Sequence, residues 1–269
     1  MLSPACTEEI AMTAEATVRL EIRDRIARLT LSRPAAANAM NLAFGREFLD
    51  AAVAAAGGEA RAILLTGEGR HFCFGGDLKG MLGTERDLKD YLVELTTNLH
   101  AGLAHLARAA APVIAAVNGT AAGAGLGLVL GADLAIAGRS AKFAPAYTGV
   151  ALTPDAGCTF WLPRVVGMKR AMELFLTNRV LDAEEACAWG IVNRVVDDAA
   201  LAAEAEALAA RIAAGPVGAY RRLKRLLAES VSGYEAQLAR ESQSIAAQGA
   251  CAEGREGIAA FLEKRAPRY

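Results

Sequence analysis

The run from Ala109 to Ala132 constrains the fold more than any other part of the chain, because it contains no charged residue. A stretch of that length is long enough to cross a bilayer as a helix. It also contains Pro112, Asn118 and five glycines, at 119, 123, 125, 127 and 131. Those residues break a spanning helix, so the run reads as a buried strand (112–117), a glycine-rich turn and the start of a buried helix. No membrane association is expected from it. A strand leading into a glycine-rich helix start points to an α/β body.

The pattern on either side agrees. Residues 17–23 and 25–31 alternate apolar and polar side chains, which predicts two strands joined by a turn at Arg23-Asp24. Asn41 is placed to cap a helix over 42–56, ended by Gly57-Gly58. Further strands are predicted at 62–66 and 133–137, with a long helix over 85–107. After residue 199 the periodicity is wholly helical, over 201–213, 217–229, 234–247 and 254–264. The predicted organisation is a loose extension (1–14), an α/β core (15–198) and a helical C-terminal part (199–269). The N-terminus lacks a basic segment followed by an apolar one, so no secretory signal is expected there.

Composition narrows the function. Basic residues number 29 and acidic residues 30, a net charge of -1. That gives no electrostatic case for nucleic acid, where basic residues supply most of the affinity. The five cysteines are scattered, with no CxxC pair, and read as reduced thiols of a cytoplasmic protein. No convincing metal-ligand set is present.

Two glycine-rich segments carry the chemistry. In His71-Phe72-Cys73-Phe74-Gly75-Gly76-Asp77-Leu78-Lys79, the adjacent glycines either make a plain turn or bring a ligand close to backbone N–H groups. The second segment, 117–128, has glycines at 123, 125 and 127 and does not fit the dinucleotide fingerprint G-x-G-x-x-G. One N–H group from each segment, aimed at a single carbonyl oxygen, would make an oxyanion hole.

Together these segments resemble the crotonase (enoyl-CoA hydratase/isomerase) superfamily over about 17–269. Leu31-Ser32-Arg33-Pro34 with Asn38-Ala39-Met40 is similar to an early R-P…N-A-[LM] element. Residues 72–78 are similar to the loop F-[CAS]-A-G-x-D-[LI], and 112–127 to P-V-I-A-A-V-N-G-x-A-x-G-x-G. Thr153-Pro154-Asp155-Ala156-Gly157 resembles [IL]-x-P-D-x-G, and Phe261-Leu262-Glu263-Lys264-Arg265 resembles F-x-E-K-R. The resemblance implies a spiral of ββα units with a helical C-terminal trimerisation part, as a homotrimer or a dimer of trimers. It implies an acyl-CoA thioester substrate, with coenzyme A arriving as part of the substrate and no tightly bound cofactor. The N–H groups of Gly76 and Ala124 would form the oxyanion hole. Arg33, Ala39, Gly75, Asp77 and Leu78 would lie along coenzyme A, with Lys264 near its nucleotide end.

The chain departs from a hydratase of that family at two places. The two glutamates that handle water align with Gly127 and Tyr147. Glycine has no base, and a phenol is a poor one near neutral pH. Asp155 remains. Its neighbours Val150, Leu152, Phe160 and Trp161 are apolar, which would raise a carboxyl pKa toward that of a general base. The alternative for Asp155 is a turn residue capping the next helix. Relatives with an aspartate here include enoyl-CoA isomerases and the epoxide isomerase of phenylacetyl-CoA breakdown. Chlorobenzoyl-CoA dehalogenases place a nucleophilic aspartate at the position of Asp155 and a histidine near that of His100. His100 otherwise reads as a helix-surface residue, Cys73 as packing, and Tyr147 as a wall of the acyl pocket. The cluster Arg221, Arg222, Lys224, Arg225 reads as a helix face.

Overall fold

A computed structural model describes residues 16–230 and 233–267; the extension predicted for 1–14 lies outside them. Strands β1 (Val18–Arg23) and β2 (Ile26–Leu31) form an antiparallel hairpin with Arg23 opposite Ile26. Asp24 and Arg25 both have positive φ (54° and 60°), so the turn falls one residue later than Arg23-Asp24. A two-residue turn of this kind matches the twist of the paired strands.

The chain then alternates through α1 (Leu42–Gly57), β3 (Ala62–Gly67), the short α2 (Leu78–Leu82), α3 (Leu88–Arg108) and β4 (Val113–Val117). Asn41 caps α1 by accepting from the Phe44 N–H at 2.9 Å. The long helix starts at 88 rather than 85 because Asp87 accepts from the N–H groups of Lys89 and Asp90, fixing the first turn there. The uncharged run opens as predicted, with β4, a short β5 (Ala121–Ala122) and α4 (Ala124–Leu130), the last buried throughout.

Next come β6 (Leu134–Gly138), β7 (Lys142–Ala144), α5 (Cys158–Val166), α6 (Met168–Thr177), β8 (Leu181–Asp182), α7 (Ala183–Ala188) and β9 (Arg194–Val196). The last four helices are α8 (Leu201–Ala214), α9 (Val217–Ser230), α10 (Tyr234–Ala250) and α11 (Ala252–Leu262). Among the described residues β1, β2, β3, β4, β6 and β9 form one sheet in that order, parallel from β2 onward. β5, β7 and β8 form a smaller one.

The apolar runs of β3 and β4 reflect burial on both faces of a parallel sheet. Ile63, Leu65, Val113 and Val117 face the main core with Phe44 and Phe48. Leu64, Ile114 and Ile136 face the other way and are covered by Leu201, Ala205, Ala209 and Ala213 of α8. Thus the first helix after residue 199 closes the sheet, whereas α10 packs along α3. Lys224 of α9 is not part of an exposed basic face. Its Nζ lies 2.7 Å from the Asp133 carboxylate and donates to the Leu106 and Ala111 carbonyls, fastening α9 to the core.

Candidate active site

The two glycine-rich segments lie side by side. Cys73 and Ala121 form a parallel bridge, in which the Cys73 N–H donates to the Thr120 carbonyl (3.0 Å) and the Ala122 N–H to that of Cys73 (2.9 Å). Contact this close requires glycine. A Cβ on Gly125 would stand 2.2 Å from the Cys73 carbonyl oxygen. Gly75 has φ +82°, and a Cβ there would stand 2.9 Å from the Ala122 oxygen.

On its other side the first loop is pinned by Met40, whose N–H donates to the Gly75 carbonyl (2.7 Å) and whose carbonyl accepts from the Asp77 N–H (2.9 Å). In a parallel bridge these bonds use the residues flanking Gly76, so the Gly76 N–H points away from Met40. Ala124 is the first residue of α4, and its N–H has no helical acceptor. Among the described residues neither N–H has an internal acceptor, and both residues line one cavity of about 470 Å³.

Arg33 braces the loop. Its guanidinium donates to the Ala39 carbonyl and to the Asp77 carboxylate, and Asp77 also accepts from the Gly80 N–H. Asn38, fully buried at φ +55°, accepts from the Arg33 N–H and donates to the carbonyls of Glu68, His71 and Phe72. Cys73 is buried and its thiol is pushed up to about 12 by burial, which suits packing rather than nucleophilic attack.

The opposite wall carries Asp155, which is 4% exposed. Its side chain does not cap the next helix. Gly157 is the N-cap of α5, and the Asp155 main-chain carbonyl accepts from the Cys158 N–H. Instead Oδ1 accepts from the Tyr147 hydroxyl at 2.6 Å. Burial and then the adjacent carboxylate push the Tyr147 phenol well above 10, so it remains a neutral donor. His100 is buried, not on the surface. Its Nε2 accepts from the Ala156 N–H at 3.1 Å and its Nδ1 lies 2.9 Å from the Leu238 carbonyl, so Nδ1 carries the proton. The ring stands 3.8 Å from Asp155 Oδ2.

The sequence reading omitted Glu241 of α10. It is 3% exposed and accepts from the Gly157 N–H at 2.7 Å and from the Thr159 hydroxyl. Burial holds its carboxyl above the ordinary carboxylate range. A signal for it was available, since Leu238, Glu241 and Ile245 share one helix face and the two apolar members are buried. The surroundings of Asp155 are therefore polar as well as apolar.

Of the residues named from sequence, Gly76, Ala124, Asp155, Tyr147, Ala39, Asp77 and Leu78 line the cavity. Gly75 frames it from behind, Arg33 is engaged in bracing, and His100 lies behind Asp155. Lys264 is exposed, two residues past Leu262, which lines the cavity. No group of three or more His, Cys, Asp or Glu able to hold a metal occurs among the described residues.

The sequence model of the Enoyl-CoA hydratase/isomerase family matches residues 21–269. The chain belongs to that family. It is 44% identical to a probable enoyl-CoA hydratase of Rhodobacter capsulatus, over 94% of this chain and 97% of that one. It is 39% identical to the 1,2-epoxyphenylacetyl-CoA isomerase of Escherichia coli (90% and 93% covered). Identity to a 4-chlorobenzoyl coenzyme A dehalogenase of Arthrobacter is 35% (92% and 91% covered). The crystal structure of an enoyl-CoA hydratase/isomerase from Pseudoalteromonas atlantica superposes with TM-score 0.84 at 33% identity, covering 94% of this chain and 99% of that one. The fold is the crotonase fold.

Within this family member, Gly127 packs directly on the turn that carries Asp155. A Cβ there would stand 2.6 Å from the Ala156 carbonyl oxygen and 2.7 Å from its Cβ. Ala156 itself has φ +52° and Gly157 +76°. The left-handed turn that presents Asp155 nests against the bare backbone of α4, so no side chain fits at 127.

Proposed function

We propose that this acyl-CoA enzyme is an isomerase that moves a carbon–carbon double bond, with Asp155 as its single acid/base. The observation that carries the reading is that the Asp155 carboxylate lines the same cavity as the unpaired N–H groups of Gly76 and Ala124. Asp155 takes a proton from the carbon beside the double bond. The C–H electron pair becomes a new C=C, and the thioester carbonyl becomes an oxyanion accepting from the two N–H groups. Collapse of that dienolate returns the proton from Asp155 to the distal carbon and restores the carbonyl. One carboxylate serves both transfers, and Gly127 and Tyr147 leave the two-glutamate hydration route without its bases. Coenzyme A enters with the substrate, and Lys79 stands exposed at the cavity mouth on its path.

The test is to incubate enoyl-CoA isomers with wild type and Asp155→Asn and identify products by mass spectrometry. Double-bond migration by wild type and its loss in the variant support the reading; equal migration by both overturns it. Acyl-CoA binding without turnover would instead assign a non-catalytic binding role.

A second reading, hydrolytic aryl-CoA dehalogenation with Asp155 as nucleophile, draws on the nearness of His100 to Asp155 and on the Arthrobacter relative. Against it, both ring nitrogens of His100 are engaged by main-chain groups, leaving no acceptor for a water proton. Halide release and a covalent adduct on Asp155 would decide for it. A homotrimer or dimer of trimers suits the exposed apolar stripe Met168, Met172 and Leu176 on α6, and sedimentation analysis measures it.

A further inference from the structure

The cavity runs from an exposed mouth to a buried end. Phe74, Val180 and Phe261 at the mouth are roughly half exposed. Met81, Leu92, Leu95, Leu99, Leu152 and Ile245 line the interior, each at most 5% exposed. Thr96 also faces it, but its hydroxyl donates to the Leu92 carbonyl (2.7 Å) and lies 2.5 Å from the Ser242 hydroxyl. The Tyr147 hydroxyl is committed to Asp155. The inner end thus offers an acyl group no free donor, and burying a polar terminus there would leave it unpaired.

Gly249 of α10 stands directly behind this wall. Gly249 is the last residue but one of α10 (Tyr234–Ala250), where the helix end comes close to α3 and to Leu152. A Cβ at 249 would lie 2.4 Å from Leu92 Cδ1 and 3.3 Å from Leu152 Cδ2, two side chains that line the cavity. Both atoms are free ends of flexible side chains, whereas the backbone of α10 is held by its own hydrogen bonds. A side chain at 249 therefore displaces Leu92 toward the cavity, where there is room.

We propose that Gly249 sets the depth of the acyl chamber through Leu92, and that the chamber takes an uncharged apolar acyl group long enough to reach Leu92. This rests on the acyl-CoA reading above and adds the class of acyl group and the residue that limits it.

The test is calorimetric titration of wild type, Gly249→Ala and the double variant Gly249→Ala/Leu92→Ala with acetyl-CoA and octanoyl-CoA. Wild type is expected to bind octanoyl-CoA at least about tenfold more tightly than acetyl-CoA. Gly249→Ala should weaken octanoyl-CoA about tenfold and leave acetyl-CoA within about twofold, and adding Leu92→Ala should restore the longer ligand. Restoration also shows that the variant backbone is folded. Equal binding of the two ligands by wild type, equal weakening of both by Gly249→Ala, or no rescue by Leu92→Ala overturns the proposal while leaving acyl-CoA recognition standing. Binding of neither ligand by wild type overturns the acyl-CoA reading and this proposal with it.

Discussion

The donors of Gly76 and Ala124 are main-chain groups, held by strand-like pairing between Met40, the 73–77 loop and residues 120–122. The Asp155 carboxylate is a side chain, held by Tyr147, with the turn beneath it secured by His100 of α3 and Glu241 of α10. The two walls thus fail differently. A substitution at 124 other than proline does not delete its N–H, so side-chain changes there break the donor wall only by moving backbone. The carboxylate wall can be broken by changing a single atom.

The largest effect is expected at Asp155. Asp155→Asn should lower turnover by about 10³-fold while acyl-CoA affinity changes little, read from kcat and from calorimetric binding. The corresponding break in the donor wall is Gly125→Ala, whose Cβ meets the Cys73 carbonyl and pushes the two segments apart. It should lower kcat by about 10²-fold and also lower the thermal midpoint, a coupling that Asp155→Asn should not show.

Glu241 tests whether the carboxylate wall depends on its distant support. Glu241→Ala leaves the Gly157 N–H and Thr159 hydroxyl without their acceptor and should destabilise the fold by about 2 kcal/mol in denaturant titration. Glu241→Gln keeps one acceptor oxygen, for the Gly157 N–H, and turns an NH2 toward the Thr159 hydroxyl oxygen, so it should restore part of that loss. Wild type and Glu241→Gln should also differ in pH dependence. Because the folded Glu241 carboxyl lies above its ordinary value of 4.5, its contribution is complete below that value. It declines as pH rises through the folded value. The decline should be shallower in Glu241→Gln.

The smallest effect is at Tyr147. Tyr147→Phe removes one hydrogen bond from Asp155 and should lower kcat about tenfold, with KM nearly unchanged.

The same contrast explains what could be read from sequence. The donor wall was legible because its geometry demands glycine at fixed spacing, and Gly75, Gly76, Gly123 and Gly125 record that demand locally. The two-face burial of β3 and β4 was legible as uninterrupted apolar runs. Asp155 and Tyr147 were found by motif position, but their hydrogen bond was not. Neither the burial of His100 nor the role of Glu241 was foreseen, because both depend on α3 and α10 packing together across a long sequence separation. Arg33 spans Ala39 and Asp77, and its ion pair with Asp77, 44 residues away, is one that no local pattern announces. The stretch between Gly138 and Asp198 carries short elements with weak periodicity, and its strands and helices escaped the pattern.

The nesting of Ala156 on Gly127 also bears on how this chain could change its chemistry. A glutamate at 127 cannot simply be added to the present backbone. The turn at 155–157 would have to move to admit it, and Asp155 would move with that turn. On the proposed single-base mechanism, a two-carboxylate site is therefore not reached by one substitution at 127. A library varying 127 alone should contain no gain of hydration, whereas one varying 127 together with 153–157 is the smallest that can cross.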